Sequence, residues 1–351
     1  MTARRAAFPA LTLISCAALV AGAGLTAREG RVAHDLRARF AENDKYEITS
    51  GFKMSLNLDD AEMKFGEMTL PQTPTININI AADETSNEEV KKVKDGAIQE
   101  LIRTYADNAV KITGQAGMGE QMQDLDEEEA NPLSGRKLKI ATTEDGLEIT
   151  DLSNEGKSAD EQLEELTAEQ KAGVDLESHF EYLLPTKAVE VGESWDIGKP
   201  FSEKMTKMMT ASAASQEDEE AGEMMKEVFS TVMQSMESNA TGKLEGVEGD
   251  LATISYTIDA KMKFDDFAKI REKVAENADE MPEDMNGEVV MNLKMKGTGK
   301  FDMKAHQLKS LEMGGDFGLE VKMTMSQQGM EVSINGKMSG SMEMSGGVAK
   351  K

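Results

Sequence analysis

Methionine is the residue type in this chain best placed, by number and spacing, to do chemistry. There are 26 of them. Met323-x-Met325, Met342-x-Met344 and Met233-x-x-Met236 match the thioether pairs with which exported copper proteins hold a soft metal. The period argues the other way. Met323 and Met325 continue the alternate positions of Leu319 and Val321, and Met342 continues those of Val332 and Ile334. A motif that extends an apolar face needs no metal, because Met fills cores as a flexible substitute for Leu or Ile. Met323 and Met325, together with Met224 and Met225 on a helical face, are therefore read as core or as the wall of an apolar ligand pocket. No cofactor is expected, and soft-metal binding is the weaker alternative.

The other reactive types are sparse or scattered. His34, His179 and His306 are far apart and have no neighbouring Cys or second His. The densest acidic run, Asp124 to Glu129, lacks the Gly and bidentate-Glu spacing of a calcium-binding EF-hand loop, and reads as a solvated loop. There is no Gly-x-Ser-x-Gly elbow, phosphate-cradling Gly loop, His-Glu-x-x-His or dinucleotide fingerprint. These absences lead us to expect no enzyme. A net charge of −26 repels phosphate backbones, so nucleic acid is not an expected partner.

The single cysteine, Cys16, lies in the N-terminal apolar run, so a disulfide framework is excluded. Arg4 and Arg5 precede an uncharged stretch from Ala6 to Ala27, as in an export signal. Three readings compete: cleavage after Ala27, lipidation at Cys16 within Leu13-Ile14-Ser15-Cys16, or retention as an anchor. Each places the rest of the chain outside the cytoplasm, in the periplasm or cell envelope. Each also confines membrane contact to this segment.

The elements that must position these residues follow from periodicity. Alternation at Tyr46–Leu58, Ile76–Ile80, Ala252–Phe264, Val289–Met295, Leu319–Met325 and Met330–Met344 predicts antiparallel strands with one dry face. Helical spacing is read over 86–105, after the capping-box pattern Ser86-x-x-Glu89. It is read again over 158–184, with Thr167-x-x-Gln170 as a second cap, over 203–239, and over 265–277. Residues 115–135 read as loop and Lys137–Ile149 as a hairpin turning near Asp145-Gly146. The expected fold is α+β: a large curved antiparallel sheet, either a meander or a half-barrel, covered on its apolar face by three to four helices. The expected parts are a signal at 1–27, a linker at 28–43, and halves at 44–200 and 201–351.

Leu184-Pro185, followed by Val189-Glu190-Val191-Gly192-Glu193-Ser194-Trp195, holds the only tryptophan. This element resembles one found in uncharacterised secreted β-rich proteins of planctomycetes and related bacteria. Gly299–Asp302 and Leu308–Leu311 are similar to the same proteins. The resemblance implies export and a β-rich fold, and no particular activity. Trp195 is read as a core or turn anchor, or as a residue against which a ligand stacks. Two functions follow. One is an envelope protein binding a lipid, another apolar ligand or a partner protein. The other is a structural or assembly component without a ligand.

Overall fold

The structure is a computed structural model. It describes residues 32–66, 68–69, 74–118, 121–144, 146–158, 162–167, 170–171, 174–177, 180–214, 231–232, 235–269, 285–327 and 330–351. Cys16 and the N-terminal segment, His179, Met224 and Met225 lie outside the described residues.

The strands are β1 (Lys45–Phe65), β2 (Met68–Thr69), β3 (Pro74–Lys94), β4 (Ala97–Tyr105), β5 (Ala109–Met118), β6 (Gln121–Ala130) and β7 (Lys137–Thr143). They continue with β8 (Gly146–Asp151), β9 (Ser194–Asp196), β10 (Met236–Glu248), β11 (Leu251–Phe264), β12 (Met285–Asp302), β13 (Gln307–Gln327) and β14 (Met330–Lys350). They form one sheet in the order β8-β7-β4-β3-β1-β14-β13-β12-β11-β10-β9. β2 lies on β1, and β5 and β6 lie beyond β3. Strands from either side of residue 200 meet where β1 pairs with β14, from Tyr46↔Lys350 to Phe65↔Val332.

This mostly-β structure overturns the expected α+β architecture. Among the described residues, regular helix is mainly α1 (Gly198–Ala214) and a 3-10 turn at Glu181–Leu183. Among these residues, three or four helices do not cover the sheet. Largely irregular chain does so instead: Leu36, Leu166, Val174, Leu183, Leu184, Val189 and Ile197 all enter the same buried cluster as the strands.

The largest correction is at 86–105. The supposed helix is the hairpin of β3 and β4, turning at Asp95-Gly96, both with positive φ (54° and 83°). Two successive left-handed residues make the tight turn that suits hairpin twist, and Asp-Gly favours it. The strand alternation was masked because two of its inward positions are charged, Glu88 and Arg103. Residues 115–135, read as loop, contain the end of β5 and all of β6, paired as a hairpin. Every residue of β6 except Leu125 is exposed, so it has no apolar face for a sequence pattern to report.

Residues 158–184 are not long helices either. The Thr167 cap does form: the Thr167 N–H donates to Gln170 Oε1 (3.0 Å) and the Gln170 N–H to Thr167 Oγ1 (3.2 Å). The helix read over 203–239 is α1 at its start, whereas Met236 already belongs to β10. The hairpin at Lys137–Ile149 is β7 and β8, and the alternations of the last third are all strands.

The register places one apolar face across the whole sheet. Met54 pairs with Met342 and Ile80, Leu319 with Met338 and Met291, and Ile258 with Met295 and Ala240. In β1 the apolar phase changes from even positions to Ala61, Met63 and Phe65 after a bulge between Leu58 and Asp60. The extra residue keeps the apolar side on the same face. The opposite face is polar, as at Lys53, Ser55 and Asn57.

The apolar face is unevenly covered. At one end Ile254, Leu293, Phe301, Leu308 and Leu311 are at most 3% exposed. Toward the other end Phe52, Met54, Leu56, Leu58, Ile76, Ile78, Ile80 and Leu319 are only half-buried, and Phe65 at the tip is 39% exposed. At about 3.3 Å per residue, the stretch of β1 from Phe52 to Phe65 is about 45 Å long.

Candidate functional site

A cavity of about 310 Å³ opens where the covered part of the apolar face gives way to the uncovered part. Its position follows from a fork in the sheet. β3 pairs with β4 from Lys94 down to Ser86, and with β5 from Asp83 onward. Residues 106–108 bridge the gap. The Thr85 carbonyl accepts from the Ala106 N–H (2.9 Å), and the Thr85 N–H donates to Asn108 Oδ1 (3.0 Å). A side-chain amide thus replaces one rung of the ladder. Asn108 is itself held by its backbone: its N–H donates to Ser134 Oγ (2.5 Å), and its carbonyl accepts from the Asn131 N–H (2.9 Å).

One wall is apolar: Ile48, Phe52, Ala82, Val110, Phe180 and Met344. Phe180 reaches the sheet over Gly346, where an added Cβ would lie 2.4 Å from its ring. The other wall is polar. Arg103 Nε donates to Glu88 Oε1 at 2.6 Å, with both side chains at most 6% exposed. Arg103 Nη1 donates to the Tyr105 hydroxyl (3.2 Å), and the guanidinium lies 5.9 Å from that ring's centroid. Burial works against the Arg103 charge, but Glu88 and Tyr105 more than offset it and hold its pKa above the ordinary value. Arg103 Nη2 and Asn108 Nδ2 are buried donors without a hydrogen-bond partner. Leaving such groups unmade costs about 1–3 kcal/mol each.

Glu84 also lines the cavity. Burial raises its pKa, against the opposing pull of Arg103 and Lys204. Lys204, from α1, is already bound to Asp175 (2.7 Å) and to the Glu177 carbonyl (3.1 Å).

Of the residues singled out by sequence, Trp195 is an anchor on β9. Its indole N–H donates to the Leu183 carbonyl (3.0 Å), and its ring lies over Gly242, where a Cβ would meet it at 2.5 Å. The rest of its motif makes a turn. Gly192 has φ 88° and donates to the Leu244 carbonyl (2.7 Å), and the Glu193 carboxylate accepts from the Glu190 N–H (3.0 Å). Trp195 also lines a second, open groove, with Tyr182, Lys187 and Lys207. Met323 and Met325 are half-buried on the apolar face opposite Ile334 and Val332. They are not brought to Met342, which faces Met54. His34 sits in a bridge with Val189, and His306 occupies the turn between β12 and β13, where burial lowers its pKa. No group of three or more His, Cys, Asp or Glu able to hold a metal occurs among the described residues.

The polar wall was missed by sequence reasoning. Its signal was the Asp95-Gly96 turn with Glu88-x-Val90 before it and Leu101-x-Arg103-x-Tyr105 after it, each alternating in strand period.

No family model and no curated protein matches this chain. Solved structures show distant likeness. Lipovitellin, in a structure titled for its lipid–protein interactions, is 7% identical over 86% of this chain, with a TM-score of 0.28. The chain spans about a quarter of lipovitellin's length, 25%. The outer membrane protein OprG of Pseudomonas aeruginosa is 6% identical, covering 88% of this chain and 98% of its own, with a TM-score of 0.23. The outer membrane protease OmpT of Escherichia coli is 7% identical, covering 90% and 98%, with a TM-score of 0.16. Likeness this low carries no functional argument. Among the described residues, no helix is long and apolar enough to cross a membrane.

Proposed function

We propose that this chain is an exported, non-catalytic binding protein of the cell envelope, which holds a lipid or similar apolar ligand against the uncovered part of its sheet. One observation carries the reading. The apolar side stays on one face of the sheet from the covered core into a half-buried stretch, and a cavity lies at the junction. Continuous half-exposed apolar surface of this extent marks a binding region more often than plain surface. Methionines on it, such as Met54, Met338 and Met342, suit a ligand of variable shape. Export rests on residues 1–28 and agrees with the secreted proteins that the Trp195 element resembles.

The test is native mass spectrometry of protein purified from its own envelope. Bound lipid is the expected result. A clean apo mass together with stable self-association would overturn the reading in favour of a structural component. The same spectrum reads the N-terminus: a chain beginning at Arg28 indicates cleavage, and a diacylglycerol adduct on Cys16 indicates lipidation.

A further inference from the structure

We infer that the polar wall of the cavity selects an uncharged, ester-linked lipid head of the acylglycerol class. Arg103 Nη2 and Asn108 Nδ2 would donate to the ester carbonyl, and Glu84 would accept from a hydroxyl. This rests on the binding reading above and adds the chemistry of the head.

Two buried donors await an acceptor at one cavity. Arg103 and Asn108 are 5% and 6% exposed, both line it, and each has one donor without a partner. The Asn108 amide cannot be flipped to relieve this. Its Oδ1 is held by the Thr85 N–H, which can only donate, so Nδ2 must find its acceptor elsewhere.

The electrostatics exclude an anionic head. The Arg103 charge is already matched by Glu88, 2.6 Å away. What Arg103 offers is an extra N–H, not a free positive charge. Lys204 is likewise matched by Asp175 at 2.7 Å. Among the described residues, Glu84 and Glu177 then remain on the lining without a matching cation there, in a chain of net charge −26. A carboxylate or phosphate would meet like charge in a partly desolvated site, which opposes its binding when no counter-ion follows it in. An uncharged ester oxygen offers these donors an acceptor without that cost. A hydroxyl gives the Glu84 carboxylate a donor, and among the described residues the Glu84 side chain makes no hydrogen bond or ion pair.

The experiment uses delipidated full-length protein loaded with an uncharged hydrophobic dye. Monooleoylglycerol, oleate and phosphatidylglycerol are titrated as displacing probes at pH 8. Monooleoylglycerol is expected to displace the dye at about tenfold lower concentration than either anion, the scale of one well-placed hydrogen bond plus repulsion. Asn108→Asp keeps the oxygen that caps Thr85 and loses the donor, so it should weaken monooleoylglycerol about tenfold. Glu84→Gln should narrow the gap by improving oleate. It keeps the proposal testable if Asn108→Asp does not fold. Oleate binding as well as the ester, or a folded Asn108→Asp and a Glu84→Gln that both leave the order and affinities unchanged, would overturn this inference and leave the binding reading intact. Failure of the protein to take up dye or any lipid would overturn both.

Discussion

Ile254, Leu293 and Leu311 lie on the same side of the sheet as Ile78, Leu319 and Met323, in strands of the same alternating pattern. The first three are at most 3% exposed. The second three are half-buried. The difference is in what lies on them. Leu36, Phe180, Leu183 and Val189 pack over one end, and among the described residues nothing comparable covers the other. An apolar face is a property of strand phase. Whether it becomes core or stays partly exposed depends on chain arriving from elsewhere.

The sharpest way to break this comparison lies at the junction. Arg103→Met alone, or Glu88→Leu alone, removes one member of a buried ion pair and should cost about 3–5 kcal/mol. The double substitution should recover most of that loss. Urea unfolding of the four proteins gives the coupling directly. Additive losses would show that the pair is better solvated than its 6% and 0% exposures indicate.

Next in size is a matched pair of truncations. Leu293→Ala at the covered end should cost about 2–5 kcal/mol. Leu319→Ala on the uncovered stretch should cost about 1 kcal/mol in delipidated protein. Equal shifts in urea midpoint at constant slope would mean that both ends are packed alike. Gly242→Ala probes the covered end from below. The added Cβ would meet the Trp195 ring at 2.5 Å, so the ring must move, at about 1–3 kcal/mol of overpacking. A red-shifted tryptophan emission reports the displacement.

Replacing Met323 and Met325 together by Leu should change folding by less than about 1.5 kcal/mol per swap. Release of bound copper on that replacement would instead establish the thioether site. The last test is a pH titration. Burial raises the Glu84 pKa in the folded protein, so its contribution to stability is present below the unfolded value of about 4.3. It is lost as pH rises through the higher folded value. Arg103 and Lys204 lower the pKa and Glu88 raises it. Glu84→Gln should remove this stretch of the stability profile and leave the protein more stable at neutral pH.

Where a strand kept its inward positions apolar, as from Ala252 to Phe264, the sequence was enough to read it. The helix read over 86–105 failed because inward Glu88 and Arg103 broke the alternation. β6 was invisible because both its faces are wet. The Trp195 anchor was legible as a single unusual residue, whereas its contacts with Leu183 and Gly242 were not.

By itself, then, the sequence determined that this chain is acidic, without a disulfide framework and rich in amphipathic strands. These follow from composition and from a period of two, which are local properties. Only the tertiary structure decided that the strands join in one sheet with their apolar sides aligned. It also decided that irregular chain rather than helices covers one end, and that Glu84, Arg103 and Asn108 converge at a fork. Those outcomes depend on pairings between residues as far apart as Tyr46 and Lys350. A local period has no access to such contacts.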